Sequence, residues 1–357
     1  MTATPNVPAK APDAVATVVT PDAAWLARQP AEPILDPERP IVDPHHHLWQ
    51  RRGHRYLLDE LLADTGSGHR VVATVFVDCV AFYRADGPVE MKPIGETEFA
   101  NGVAAMAASG LHGPTRACAG IVSHANLTLG AAVRPVLEAH LRAGNGRFRG
   151  IRHAGGWDAS PQILDSHTKP PPGLYGEPRF REGFAQLAPL GLSFEAWQYH
   201  PQLPDVLALA RAFPDTTLVL NHCGGPLGVG PYAGQADAVY GQWRRDLLAL
   251  AACPNVVVKV GGLGMRTTHF GFDRRPVPPS SQELAAAWKP WVETCIEAFG
   301  ARRCMFESNF PVDQVSTGYA VLWNAFKRLA AGASADEQHA LFAGTAARVY
   351  RLDLPPA

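Results

Sequence analysis

Three adjacent imidazoles carry the clearest chemistry in this chain. His45, His46 and His47 follow Asp43-Pro44 and precede Leu48-Trp49, at the end of the apolar run Pro40-Ile41-Val42. That run reads as a β-strand. Strand side chains alternate faces, so His45 and His47 point one way and His46 the other. Two imidazoles side by side at a strand end can hold one divalent metal ion. A surface or packing cluster is the plainer alternative. Polar residues end other apolar runs as well: Asp78, His124, Arg152 with His153, Glu195 followed by His200, His222, Lys259, and Glu307 with Asn309.

Each of these has a structural reading beside the chemical one. His222 closes Thr217-Leu-Val-Leu and precedes Cys223-Gly-Gly, where the glycines let a ligand approach closely, and this favours function over a packed core histidine. His124 is equally suited to capping the next loop. Arg152 has a planar fork that can hold a carboxylate with two bonds, or it can pair with Glu195. Lys259 ends three valines, where burial could lower its pKa or an interior ion pair could absorb it. Trp197, Tyr199, Trp157 and Phe310 either fill the core or wall a flat substrate. His153 is expected to be structural. His54, His69, His112, His140 and His339 are expected at the surface, and His167 and His269 near an entrance.

The elements that must position these groups recur along the chain. Candidate strands cover 41–47, 71–78, 117–124, 148–153, 192–197, 217–222, 256–260 and 304–308. Helix-like segments between them cover 96–108, 131–142, 181–187, 203–212, 239–252 and 281–299, and 315–329 and 336–350 close the chain. Strands alternating with helices indicate an α/β protein with a parallel sheet. Eight units over some 300 residues favour a closed (β/α)8 TIM barrel over an open sheet. No G-x-G-x-x-G opens a helix after a strand, which argues against a dinucleotide fold. A barrel gathers the strand ends on one face, so residues distant in sequence converge there. Residues 1–37, rich in Pro and Ala, read as a flexible N-terminal arm whose final segment, with Trp25, Leu26, Ile34 and Leu35, can lie against the main body, and 38–357 as the barrel domain.

Composition limits the partners. The 357 residues carry 32 Lys+Arg against 33 Asp+Glu and are 46% hydrophobic. The balance gives no basic excess for nucleic acid or an anionic membrane. No apolar run approaches a membrane span, and the first residues lack a basic-then-apolar signal pattern, so a cytoplasmic location is expected. Six widely spaced cysteines without a C-x-x-C pair read as reduced core thiols. The implied partner is a small molecule, with homo-oligomerisation left open.

The motifs together resemble a known family. Ile41-Val-Asp-Pro-His-His-His-Leu-Trp49, Phe148-Arg-Gly-Ile-Arg-His153, Leu220-Asn-His-Cys-Gly224 and Met305-Phe-Glu-Ser-Asn-Phe-Pro311 look like the amidohydrolase superfamily. More closely they resemble its amidohydrolase-2 branch, which includes 2-pyrone-4,6-dicarboxylate lactonase and sugar-lactone hydrolases. The likeness spans roughly residues 38–352. It implies metal binding by His45 and His47, with His200 as a loosely aligned third ligand. It also implies carbonyl polarisation or water steering by His222, and anion holding by Arg152. One departure matters: the last strand usually carries Ser-Asp-Trp-Pro, whose Asp binds metal and takes the proton of the attacking water. Here the run is Ser308-Asn309-Phe310-Pro311. An amide does not accept a proton near pH 7, so Asn309 orients water or substrate while Asp313, Glu195, Glu307 or His222 takes the proton, or hydrolysis is lost.

The expectation is therefore a lactonase-like hydrolase that opens a lactone or other carboxylic ester of a small, anionic metabolite. His222, Asn309 and Asp313 form the catalytic set, and Arg152, His124, Trp197, Tyr199 and Lys259 the substrate-binding set. One Zn²⁺ or Mn²⁺ would sit on His45, His47 and His200 and lower the pKa of bound water to roughly 7. The missing Asp makes metal-independent catalysis an alternative. Non-oxidative decarboxylation of an aromatic acid, and a degenerate barrel that only binds a small acid, are the rival functions.

Overall fold

The computed structural model describes residues 18–51 and 53–354. Eight parallel strands run in sequence order around a barrel: β1 (Ile41–His46), β2 (Val71–Val77), β3 (Arg116–Ser123), β4 (Phe148–Arg152), β5 (Ser193–Ala196), β6 (Leu218–Leu220), β7 (Val256–Val260) and β8 (Cys304–Phe306). The first and last strands meet just past the end of β8. There His46 bridges Phe310 in parallel, and the Asn309 and His47 amides donate to the carbonyls of His45 and Phe310. The (β/α)8 TIM barrel expected from the alternation is the fold.

Two apolar layers hold it. Val42, Ala73, Val75, Val77, Val122, Val219, Val257 and Met305 fill the barrel interior. These mostly small side chains fit inside eight strands, and the ring of Tyr350 joins the same layer. The opposite faces of the strands pack on the helices through a much larger cluster. Those helices are α1 (Leu58–Thr65), α2 (Ile94–Ala108), α3 (Arg134–Ala143), α4 (Pro178–Phe184), α5 (Leu203–Ala212), α6 (Ala236–Ala251), α7 (Ser281–Phe299) and α8 (Tyr319–Leu329). Helix α7 starts on a capping box, Ser280 with Glu283, that satisfies its first amides. Its limits match the sequence reading, as do those of α5.

The largest departures from the sequence reading fall in three segments. A short antiparallel hairpin, Trp49–Arg51 with His54–Tyr56, and helix α1 follow β1 where no element was expected. Leu58 and Leu61 of α1 are buried one turn apart, a helical spacing present in the sequence. Helix α8 begins at Tyr319 rather than 315, because Asp313–Val315 forms a separate 3₁₀ turn and Gly318 precedes the first helical turn. The last segment is broken at Ala340–Gly344 by a π-helical turn.

The N-terminal extension is not loose over its described part. The indole of Trp25 donates to the Arg275 carbonyl at 2.7 Å, and Gln29 bonds Pro279, Thr317 and Gly318. Asn324 and Lys327 on α8 hold the chain at Pro33, Leu35 and Asp36. Residues 18–37 thus lie along α7, α8 and the loops before them, and the polar anchors on those helices explain why a Pro/Ala-rich stretch docks there. Residues 1–17 of the expected arm lie outside the described residues. All six cysteines are reduced and buried, as expected. No helix among the described residues is long and apolar enough to cross a membrane.

Candidate active site

A cavity of about 240 Å³ opens at the C-terminal ends of the strands. Its lining comes from nearly every strand end: His47, Trp49 and Arg51 after β1, Cys79 after β2, Arg152 at the end of β4, Trp197 after β5, His222 after β6, Met265 after β7, and Asn309 with Val312 after β8. Leu164 to His167 enter from the loop between β4 and α4, and Val18 from the N-terminal extension. The size suits a small metabolite, being below the ~300–1,000 Å³ typical of drug-sized ligands.

Glu307 organises the floor. It is fully buried immediately after β8, and its Oε1 accepts from both the backbone amide of His222, at 3.0 Å, and His222 Nδ1, at 2.8 Å. Opposite an ionised Glu307, Nδ1 is the protonated nitrogen of the neutral ring, and Nε2 is left as an acceptor for the cavity. His45 Nδ1 lies 2.8 Å from the other oxygen, Oε2, off the angle of a hydrogen bond, so Oε2 keeps no hydrogen-bond donor among the described residues. This closeness depends on Gly261 and Gly262 after β7. A Cβ on Gly261 would lie 2.4 Å from the Glu307 carbonyl oxygen, and one on Gly262 2.5 Å from His222 Nδ1. Gly262 also has φ +66, a conformation glycine adopts without strain. Burial pushes Glu307 up to about 8 and holds His45 and His222 well below the ordinary histidine value, with Lys259 and Arg152 adding to the depression. The imidazoles therefore rest unprotonated.

Arg152 is tied on one side and open on the other. Its Nε bonds Asp78 Oδ1 at 2.5 Å, its Nη2 the Asp78 carbonyl, and its Nη1 His45 Nε2 at 3.3 Å. Three of the five guanidinium N–H groups are spent and two remain, on a side chain that lines the cavity. The salt bridge considered from sequence, to Glu195, does not form; the partner is Asp78. Asp78 also lies 2.9 Å from His167 Nε2. Against the cost of its burial, Arg152 and His167 hold Asp78 well below the usual carboxylate range.

Asn309 and Asp313 form a second pair. Asn309 Nδ2 donates to Asp313 Oδ1 at 2.7 Å, and Asp313 Oδ2 accepts from the Gly264 amide at 2.8 Å. The Asn309 Oδ1 is buried without a hydrogen-bond partner among the described residues, on a side chain that lines the cavity. Burial raises Asp313 to about 8, with Gly264 and Asn309 pulling it back. Asn309 (φ 54) and His222 (φ 54) both sit in the left-handed region, which non-glycine residues enter at a cost and which clusters at functional sites.

Several expected roles change. His45 and His47 do share a face: His47 gives Nδ1 to the Val77 carbonyl at 2.8 Å, which leaves Nε2 for the cavity. His46 turns away to Thr74. His200 does not join them. It lies past the strand end in a 3₁₀ turn, its Nδ1 accepts from the Leu227 amide, and its ring packs on Tyr232. The donors that converge within 4.8 Å among the described residues are instead His45, His222 and Glu307. They are donor types that could hold a metal. Yet each ring nitrogen of His45 lies 3.3 Å from a basic side chain, Lys259 on one side and Arg152 on the other. A divalent ion on His45 would be pressed against two positive charges, so these residues as arranged do not suit one.

Lys259 is not on the cavity wall. It is fully buried in an ion pair with Glu195 at 2.8 Å, and Glu195 also accepts from Asn221 and Tyr350. Tyr199 is likewise absent from the lining; its hydroxyl donates to the Leu164 carbonyl and so braces a loop that does line it. His124 stands behind the cavity, bonded to the Arg152 carbonyl and packed on His153. His69 and His140, expected at the surface, are buried, the first against Lys327 and Ala320 and the second against Thr97. Trp197 lines the cavity as expected and meets His222 edge-on at 4.7 Å. His167, expected near an entrance, lines the cavity. Asp78 was noted at a strand end without a role, and Arg51 and Val18 were not singled out. Asp78 and Glu307 had a signal, since each follows an apolar run.

Comparison with known proteins agrees with this architecture. A family profile described as Amidohydrolase (Amidohydro_2) matches residues 42–352. The chain is 33% identical over 337 residues to the uncharacterized protein y4mH of Sinorhizobium fredii, covering 87% of this chain and 98% of that one. It is 33% identical over 181 residues to an L-fucono-1,5-lactonase of Burkholderia multivorans, covering 49% of this chain and 57% of the lactonase. Among solved structures, an amidohydrolase from Burkholderia multivorans with bound Zn aligns with a TM-score of 0.66 at 25% identity, covering 87% of this chain and 99% of that one.

Proposed function

The chain belongs to the amidohydrolase family, and from that premise we propose that it hydrolyses a lactone or other carboxylic ester of a small acidic metabolite, with His222 as the base. One observation carries the reading: Glu307 holds Nδ1 of His222 and leaves Nε2 for the cavity. A water there gives its proton to Nε2 as its oxygen attacks the ester carbonyl. Glu307 stabilises the imidazolium that forms, as the carboxylate does behind the histidine of a hydrolytic triad. The two free N–H groups of Arg152 face the charge that develops on the carbonyl oxygen. When the C–O bond of the ester breaks, the His222 proton passes to the leaving alkoxide. Asn309 Oδ1 and His47 Nε2 accept hydrogen bonds from the attacking water or from substrate hydroxyls. The base that the family's strand-eight Asp supplies is thus moved to the end of β6, two strands away.

Support also comes from the lactonases among the relatives, at 30–33% identity over about half the chain. Because Lys259 and Arg152 crowd His45, the proposed hydrolysis proceeds without a metal. The test is acid release from a panel of sugar-acid and aromatic lactones, followed with a pH indicator, before and after chelator dialysis. Release that survives chelation and is lost in His222→Ala supports the reading. Undiminished release in His222→Ala, or carbon dioxide from an aromatic acid in place of lactone opening, overturns it.

A further inference from the structure

The cavity has a cation that the chemistry above does not use. Arg51 is exposed at the mouth, whereas His222 and Asn309 are buried at the floor. Its guanidinium carbon stands 4.1 Å from the ring of Trp49, two residues earlier on the same face of the hairpin strand. Trp49 in turn stacks on His47, with ring centroids 5.7 Å apart and planes 16° from parallel. Its indole N–H is fixed by His54 Nδ1 at 3.2 Å, across the hairpin. One flat wall therefore runs from His47 at the floor to Arg51 at the mouth. Among the described residues one bond, Nη2 to the Cys79 carbonyl at 2.8 Å, pins the guanidinium, and Arg51 makes no ion pair. Arg152, the arginine expected to hold a substrate anion, has already spent its Nε and Nη2 on Asp78.

We propose that Arg51 is the anion-recognition residue of this site: it clamps a carboxylate of the bound molecule at the mouth while the reacting carbonyl lies against His222 and Asn309. This rests on the hydrolytic reading for the identity of the reacting end, and on the cavity alone for the anion. A guanidinium stacked on an aromatic face is pre-organised, and its free edge matches a carboxylate with two parallel bonds. Asp165 shares the lining, so the anion sits on the Trp49 side and a hydroxylated edge faces the loop between β4 and α4. The substrate class is thus a flat or ring-shaped acid whose carboxylate is remote from the bond that breaks.

The test is binding, read by titration calorimetry on the full chain at constant ionic strength. The probes are isophthalate, a planar dicarboxylate, and its neutral diamide, isophthalamide. Wild type should prefer the dicarboxylate. Arg51→Gln should weaken that binding by at least about tenfold and leave the diamide unchanged, and Arg51→Lys should fall between because it keeps charge without the fork. Equal binding of isophthalate by wild type and Arg51→Gln overturns the proposal, as does a wild type that binds neither probe or prefers the diamide. Selective, Arg51-dependent binding in a protein that opens no lactone keeps the anion site and sinks the hydrolytic reading instead.

Discussion

Two buried charge clusters lie within the same barrel and are built from similar residues, yet only one leaves polar groups turned to the cavity. In the interior, Lys259 and Glu195 pair at 2.8 Å, both carboxylate oxygens of Glu195 accept a donor, and Tyr350 closes over the pair with its ring 5.3 Å from the ammonium. At the rim, Glu307 holds His222 by one edge and leaves the other edge, with Asn309 Oδ1 and part of Arg152, turned to the cavity. The difference is in what each group has left over. A carboxylate whose oxygens are all paired can only hold the fold, whereas one that fixes half of an imidazole leaves the other half free to move a proton.

Substitution should separate the two clusters by readout. At the rim, His222→Ala should lower kcat/KM by roughly 10²–10⁴, the usual worth of a general base, with little change in melting temperature. Glu307→Gln should cost less, because the ring keeps a neutral acceptor for Nδ1. In the interior, Lys259→Met should destabilise by about 3–5 kcal/mol, since it leaves Glu195 buried without its partner. The double variant Lys259→Met with Glu195→Gln should recover much of that loss. Thermal melts and steady-state rates on the same four proteins check this. A rim variant that melts early but turns over normally when folded would reverse the assignment.

The pH dependence should distinguish the clusters next. The proposed His222 base requires an ionised Glu307, and burial sets that carboxyl at about 8. Activity should therefore rise as pH climbs through about 8, and the rise should flatten in Glu307→Gln. Stability moves the opposite way. Glu307 lies above its ordinary value of 4.5 in the folded state, so between the two values the native protein binds more protons than the unfolded chain. The contribution is fully present below 4.5 and is lost as pH rises through about 8. Melting temperature and kcat/KM measured across that window should cross, and parallel trends would remove Glu307 from the mechanism.

The barrel was legible in the sequence because its signal is repeated eight times and each strand end carries a polar residue. The identity of the site residues was legible only in part. Strand alternation correctly set His45 and His47 on one face, and Glu307 and His222 could be read as chemically active. That one bonds the other depends on the closure of a barrel and on Gly261 and Gly262, which no local pattern expresses. His200 was misplaced because a 3₁₀ turn after the strand breaks the two-residue alternation. Lys259 and Glu195 were correctly seen as ionisable groups at strand ends, but whether such a group faces the cavity or a partner across the interior is a matter of tertiary packing. The docking of the extension could be anticipated from its apolar residues, but not its anchors: Asn324 and Lys327 lie some 290 residues away.

The finest test concerns Asn309, where the family's usual carboxylate is absent and Asp313 stands one layer behind. Restoring the acid alone should not restore a base. In Asn309→Asp the new carboxylate would face Asp313 Oδ1 at the present 2.7 Å contact, and two carboxyls that close share one proton. Rates should then stay within about tenfold of wild type, a small effect of the order of one hydrogen bond. Exchanging the pair, Asn309→Asp with Asp313→Asn, keeps the hydrogen bond with its donor and acceptor reversed. It places a single ionised carboxylate on the cavity wall, and it should outpace Asn309→Asp alone. It should also shift the rising limb of the pH profile below about 8, because the new base no longer depends on Glu307. If the exchanged variant instead keeps that limb unchanged and loses activity with His222→Ala to the same extent as wild type, the carboxylate at 309 contributes no proton transfer and the Glu307–His222 pair alone sets the rate.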